Sequence, residues 1–433
     1  MLLSRYLLWI EKYGLFFITA YALGVFTPEL TPKVALMNLD LDATVAAKSG
    51  SNVFKQLFWM FALLNYMILA ARDGGRVLRQ QFVPVLLVLG FVVLASAFFS
   101  IFPATAIKRA IFQIMFLIVV SLSLYFSFKR GTMGLCVSRA VYLMIVMVGV
   151  AIVVGGGMNH HGELAGYAKA KNVMGHYVAS SFILLMLVEF IEGRKMAHSI
   201  KLKMILMGML VLTVSKTSIA VVIMIVMASH LPLLANMVAS YTLIILWFGL
   251  FVFSPSITYL LNVYWHFAME VSPSFFTQRG QIWDACYTDL AGYNKYLFGF
   301  GYGSYFGAPE IPFSFDIRFS FLRFISSAHN GYIEVLLQFG LIFSTFTFFL
   351  LLKLMGLIRF SKMHAMLFFP LIHNMTESSF VRDHHTVWFL FLAICLSGGM
   401  VHDLHRRQAI AACQARRQQA LAKSKKPKTV YLR

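Results

Sequence analysis

Charge is what this sequence has least of. Only 12% of its 433 residues are Asp, Glu, Lys or Arg, about half the share in ordinary soluble domains. With 59% hydrophobic residues, a soluble fold of this size would leave much apolar surface in water, because its surface-to-volume ratio gives the interior too little room. A soluble globular chain is thereby excluded, and lipid is the expected solvent. Acidic residues are the scarcer sign, 17 against 37 Lys and Arg, for a formal net charge of +20. No basic, aromatic-interleaved folded domain is present to put that charge on nucleic acid. Lys and Arg held in cytoplasmic loops account for it instead, and no nucleic-acid partner is expected. Cysteine is rare as well: Cys136, Cys286, Cys395 and Cys413 are scattered, with no CxxC pair and no His at metal-ligand spacing. Neither a disulfide framework nor a zinc site follows. No small-residue cleavage site follows the first apolar stretch, which reads as a retained helix rather than a cleaved signal peptide.

What is present is a series of long apolar runs, at roughly 14–28, 53–71, 83–101, 110–128, 140–158, 173–192, 203–214, 219–237, 241–260, 331–352, 364–380 and 386–402. A span needs about 20 apolar residues, so these predict an all-α polytopic membrane protein of about twelve transmembrane helices. The seventh run is short, and His230 and Pro232 interrupt the eighth. With the N-terminus inside, the cytoplasmic side receives 24 of the 37 Lys and Arg, as the positive-inside rule requires. Both termini are then cytoplasmic. The expected organisation is a membrane domain over 1–404, one long extracytoplasmic loop over 261–330 within it, and a basic tail over 405–433. The tail is expected to be a frayed helix or a disordered segment drawn to anionic lipid. No internal repeat at a fixed period is visible. Loops on rigid scaffolds are where chemistry concentrates, which directs attention to 261–330.

Thirteen cations fall outside against the topological bias, among them Lys108 and Arg109, Lys169 and Lys171, Lys216, Arg279, Arg318 and Arg323, and Arg382. Each alone can be an interfacial side chain snorkelling to water. Together they describe a site for an anion, most naturally a phosphate or diphosphate, which Arg meets bidentately and Lys meets as a point charge. The loop carries Thr277-Gln278-Arg279-Gly280-Gln281-Ile282-Trp283, then Phe298-Gly299-Phe300-Gly301-Tyr302-Gly303-Ser304, and closes on Ser327-Ala328-His329-Asn330-Gly331-Tyr332. The glycines follow no strand of a βαβ unit, so a dinucleotide loop is disfavoured. A turn that lets backbone approach a ligand, or re-enter the membrane, fits better. His329 is either a hydrogen-bonded interface histidine or a base for an attacking hydroxyl, an effect of about 10²–10⁴-fold. The alternation of Phe313, Phe315, Ile317, Phe319 and Phe321 with polar residues suits a strip beside a polyisoprenyl tail or an ordinary aromatic belt. Glu377, in His373-Asn374-Met375-Thr376-Glu377-Ser378, is an acid at membrane depth, and such a group is by default a functional hypothesis. Its structural alternative is a pair with a nearby cation.

At these residues the chain resembles the O-antigen ligase and O-antigen polymerase superfamily of membrane glycosyltransferases (Wzy/WaaL/ExoQ-like). The segment His329-Asn330-Gly331-Tyr332-Ile333, leading to Gly340-Leu341, is similar to the family's His-Asn-x-Tyr-[Leu/Ile]…Gly-Leu signature. Upstream, Thr277…Arg279…Ile282-Trp283 and Gly299-Phe300-Gly301-Tyr302-Gly303-Ser304 resemble its Gly-Arg…Ile-Trp…Gly-x-Gly-x-Gly-Ser run. Weaker similarity lies in Ser100-Ile101-Phe102-Pro103 before Lys108-Arg109, in Lys171-Asn172-Val173-Met174-Gly175, and in Ser215-Lys216-Thr217-Ser218. Gln278 departs from the family's usual Gly, and Lys216 stands where ligases tend to place Arg. The latter two motifs look more like the exopolysaccharide polymerase (ExoQ-like) branch.

The resemblance implies a GT-C-like fold in a bacterial inner membrane, with an extracytoplasmic active site. The donor it implies is a glycan on undecaprenyl diphosphate. The acceptor is a lipid-linked repeat unit for a polymerase, or lipid A–core for an O-antigen ligase; a chain-length regulator and a flippase of the same pathway are possible partners. Arg279 would stabilise the departing diphosphate, with Lys216, Lys171 and Arg109 supporting it, because fixed cations act most where charge develops. His329 would activate or orient the acceptor hydroxyl, and Asn330, Gly301 and Glu377 would contact substrate. The outer loops hold no paired carboxylates at metal spacing, so transfer without metal or cofactor is expected. The rival from another class is a lipid-linked oligosaccharide transporter. It is disfavoured because the polar residues cluster outside rather than near the midplane of two related halves.

Overall fold

A chain solvated by lipid has to satisfy its backbone polar groups within each segment, and helices do so. The computed structural model describes residues 2–30, 53–193, 198–261, 279–306 and 327–424. Within them the chain is all-α, and the single β pairing is an isolated bridge between Met158 and Leu164. The helices, in order, are α1 (Leu2–Ala22), α2 (Val53–Arg72), α3 (Phe82–Ala97), α4 (Pro103–Arg130), α5 (Met133–Val153), α6 (Lys171–Glu192), α7 (Ser199–Leu212) and α8 (Lys216–Ala228). They continue as α9 (Leu233–Leu260), α10 (Arg279–Gly292), α11 (Gly331–Met355), α12 (Ser361–Met366), α13 (Phe368–Thr376) and α14 (Thr386–Ser424). Seven of the described helices are long and apolar enough to cross a membrane: α2, α4, α5, α6, α9, α11 and the Thr386–Ala409 part of α14. The protein is membrane-embedded. Helices α3 and α8 are equally apolar but shorter.

Proline sets where the expected runs divide. The run at 219–237 is two helices, because Pro232 lacks an N–H and its ring clashes with the carbonyl four residues back. That carbonyl belongs to Ala228, the last residue of α8. The run at 364–380 breaks for the same reason: four residues before Pro370 stands Met366, where α12 ends. Within α9, a π-helical turn at Gly249–Phe253 precedes Pro255 and takes up its missing hydrogen bond.

Contacts at each end of the bundle fix the arrangement of the helices. At one end Thr386 Oγ1 donates to Ala22 O at 2.5 Å and Lys55 pairs with Asp383 at 3.0 Å. At the other, Arg130 pairs with Glu11 at 2.6 Å, and Gln81 Nε2 donates to Asp403 Oδ1 at 2.9 Å. Helix α14 is the axis of the bundle. Its apolar part is 83% buried, against 22% for α2 on the rim.

One helix is interrupted on purpose. Gly340, inside α11, has φ 59° and ψ −173°, which frees carbonyls before it and N–H groups after it. The segment around Gly299 fills both. Phe300 N donates to Leu337 O at 2.7 Å and Gly301 N to Gln338 O at 3.1 Å, while Leu341 N and Ile342 N donate to Tyr296 O and Leu297 O at 2.7 and 3.1 Å. A Cβ on Gly340 would lie 2.4 Å from Gly299 N, and one on Gly299 would lie 2.6 Å from Gly340 N. Two glycines are needed because two backbones touch.

Candidate functional site

The candidate residues gather at the end of the bundle where α4, α6, α8 and α14 begin. Arg279 opens α10, His329 lies two residues before α11, and Glu377 follows the last residue of α13. Glu377 joins the other two. Its Oε1 lies 3.2 Å from Arg279 Nη2, and its Oε2 lies 3.0 Å from His329 Nδ1. Arg279 Nη1 also donates to the Thr376 carbonyl.

Neighbouring residues hold these three in place. Asn330 caps α11: its side-chain oxygen accepts from Tyr332 N at 3.0 Å and Ile333 N at 3.2 Å. Gly331 sits so close to α13 that a Cβ would meet Asn374 Oδ1 at 1.9 Å. That same Oδ1 accepts from Ser379 N and Phe380 N at 3.1 and 2.8 Å, shaping the turn that presents Glu377. Trp283 Nε1 donates to Ala328 O at 3.0 Å, tying α10 to the strand of backbone that carries His329. His329 itself is in the left-handed region, φ 50°, a conformation that costs of order 1 kcal/mol and persists where surroundings impose it.

Burial alone would raise the Glu377 carboxyl. The hydrogen bond and charge of His329, with His176 and Arg279 nearby, outweigh it and hold the group below the usual carboxylate range. An ionised carboxylate only accepts, so His329 Nδ1 carries a proton, and in the neutral ring the lone pair is then at Nε2. A carboxylate on one ring nitrogen fixes the tautomer. The His329 side chain is 37% exposed, more than Arg279 or Glu377 at 21% and 20%, so its base is reachable. Arg279 spends two of its five N–H donors on Thr376 and Glu377, leaving others for a ligand.

The remaining expected residues are placed as follows. Arg109 donates to the Gly303 carbonyl and, at 3.1 Å, to Phe306 O, so it secures the glycine run. Gly301 approaches protein: at φ 89°, a Cβ would lie 2.5 Å from Ser100 Cβ. The expectation that these glycines let backbone meet a ligand is thus redirected, since their close approaches are to Ser100 and to the break in α11. Asn330 has its oxygen committed to the cap. Lys171 pairs with Glu163 at 2.5 Å. Lys216 is exposed at the start of α8, one residue after Ser215, which presses on Gly175 beside His176. Thr277, Gln278, Arg318, Arg323 and the aromatic strip at 311–325 lie outside the described residues.

Sequence reasoning missed the histidines behind the site. His176 and His373 are buried, with ring centroids 3.8 Å apart and edge to face. Beyond them, Asp383 meets both Lys55 at 3.0 Å and His384 Nε2 at 2.8 Å, and His384 packs 4.6 Å from Trp59. The signal was available as polar residues set within apolar surroundings, but it named no partners. Among the described residues, no group of three or more His, Cys, Asp or Glu is arranged to hold a metal ion. A cavity of about 900 Å³ lies at the opposite end of the bundle from His329. No protein-family model, curated protein or solved structure matches the chain.

Proposed function

We propose that the chain is a membrane glycosyltransferase of the polysaccharide-polymerase type. It transfers a glycan from undecaprenyl diphosphate to a lipid-linked repeat unit at the extracytoplasmic face of a bacterial inner membrane. The observation that carries this reading is Glu377 bridging Arg279 and His329. One carboxylate both orients a base and neighbours a cation, which is what displacement of a diphosphate by an alcohol requires. The acceptor hydroxyl oxygen attacks the anomeric carbon and its proton passes to His329 Nε2. The bond from that carbon to the diphosphate oxygen breaks, and the lipid diphosphate leaves with the electron pair. Free N–H groups of Arg279 meet the charge that develops on it, with exposed Lys216 a further candidate. The reading places about twelve crossings in the membrane, the short apolar helices α3 and α8 included, with both termini cytoplasmic and no metal or cofactor required. An O-antigen ligase passing its glycan to lipid A–core would use the same three residues and differ in acceptor alone.

His329→Ala should reduce long-chain polysaccharide by about 10²–10⁴-fold, with protein abundance in membranes unchanged. Glu377→Gln keeps the shape and removes the charge that fixes the tautomer, so it should fall in the same direction by less. Near-normal chains from both variants would end this assignment. With purified enzyme, a chelator should leave transfer unchanged; activity lost on chelation and restored by a divalent ion would refute the metal-free step.

A further inference from the structure

The other end of the bundle has a cavity that the reaction above does not use. It opens where α4 and α6 finish and α14 emerges, and holds about 900 Å³. Arg76 and Arg79, on a 3₁₀ turn between α2 and α3, and Arg407 on α14 line it. Among the described residues these three arginines form no ion pair. Two carboxylates also line it, and each has a hydrogen-bond partner: Asp403 accepts from Gln81 Nε2 at 2.9 Å and Glu192 from Gly134 N at 2.8 Å, while nearby Asp73 accepts from Tyr125 Oη at 3.0 Å and Lys129 Nζ at 2.5 Å. The floor is apolar, including Phe128 and Met400.

We propose that this cavity binds the phosphate group of an anionic membrane lipid. Topology alone explains an excess of Lys and Arg on one side of a membrane. It does not explain three arginines lining one concave space whose two carboxylates already hold hydrogen-bond partners. Guanidinium is the group that meets phosphate bidentately. The place also fits: the cavity lies at the ends of the long apolar helices α4 and α6, the depth at which lipid headgroups sit. Its volume belongs to the range that takes whole organic ligands, so an inorganic phosphate would leave most of it, and its apolar floor, to water.

The test uses the full chain in nanodiscs made of equal parts phosphatidylglycerol and phosphatidylcholine, then transferred to detergent. Co-purified phosphatidylglycerol is measured by mass spectrometry, and thermal unfolding is followed with added phosphatidylglycerol or inorganic phosphate. The native chain should retain phosphatidylglycerol and unfold at higher temperature with it. Combined Arg76→Gln, Arg79→Gln and Arg407→Gln should weaken retention about 100-fold. Arg407→Gln alone should weaken it severalfold, and Arg407→Lys should restore part of that loss. A control with the same charge removed at Arg72, Lys201 and Arg359, outside the cavity, should retain lipid as the native chain does. Equal loss in the control, or undiminished retention in both cavity variants, would overturn the site. Equal protection by inorganic phosphate would overturn its assignment to lipid.

Discussion

Where α4, α6, α8 and α14 begin, most cations have a protein partner: Arg279 has Glu377, Lys171 has Glu163, Lys55 has Asp383, and Arg109 has the carbonyls of Gly303 and Phe306. Where those helices finish, Arg76, Arg79 and Arg407 face a cavity and, among the described residues, form no ion pair. The difference separates two uses of positive charge in a membrane protein. An engaged cation builds geometry, because its removal strands a partly buried carboxylate whose desolvation is no longer offset. A cation facing open space builds none, and the fold should hardly register its loss.

The largest effect follows from that contrast. Arg279→Ala should abolish polymer formation and also destabilise the fold by roughly 2 kcal/mol, since Glu377 keeps only His329. Arg407→Ala should leave chain length unchanged and stability within about 0.5 kcal/mol. Thermal unfolding in detergent beside polysaccharide gels would measure both. Equal melting of the two variants would erase the distinction between the ends.

Next in size are the glycines that bring the engaged end together. Gly331→Ala would drive a Cβ against Asn374 Oδ1, and the overpacking should cost about 1–3 kcal/mol. Gly340→Ala adds positive-φ strain to a backbone clash and should cost more. Size-exclusion profiles and melting temperatures would rank them. A Gly340→Ala chain as stable as native would mean the break in α11 is not held by the Gly299 segment.

Much of the fold was legible because its causes are local. Apolar runs mark the helices and Pro232 marks where one of them divides; the division before Pro370 falls inside a run expected to be continuous. Arg279, His329 and Glu377 were each visible as polar residues at costly positions. Their union was not, because Glu377 lies 98 residues from Arg279 and 48 from His329 along the chain. The glycine run misled for a related reason. Gly299, Gly301 and Gly303 announce close approach, but nothing local says to what. The answer, a gap opened at Gly340 in another helix and a corner at Ser100, is tertiary. His176 and His373 hid in the same way, since neither position states that the other's ring will face it.

Two carboxylates extend the contrast to acids. Burial would raise Asp383, but His384 and Lys55 outweigh it and hold it well below its ordinary value. Among the described residues Asp289 pairs with no cation: burial pushes it up to about 7 against the hydrogen bond from Tyr305 at 2.6 Å. The signs oppose. Asp383 contributes stability that is present above the unfolded value near 4 and lost as pH falls further. Asp289 contributes stability that is full below that value and lost as pH rises through about 7. Asp289→Asn should therefore gain of order 1–2 kcal/mol at about pH 8 and little at about pH 5. Unfolding across that range, with a slope identical in both proteins, would contradict it.

The smallest expected effect tests the comparison at its weakest member. Lys171 and Glu163 form an ion pair with side chains 33% and 16% exposed, and a pair open to solvent contributes little to stability. Glu163 is held below its ordinary value first by the hydrogen bond from Lys171 and then by that from Asn159, so Lys171→Met leaves the carboxylate with one partner rather than none. Stability should change little. If Lys171 only orders the loop before α6, polymer yield should follow abundance. If it also leaves Glu163 to meet a diphosphate, yield should fall beyond what stability explains, and Glu163→Gln should raise yield by releasing the cation. Opposite effects of these two substitutions on yield, at equal abundance, would move Lys171 from the cations that build the site to those that await a ligand.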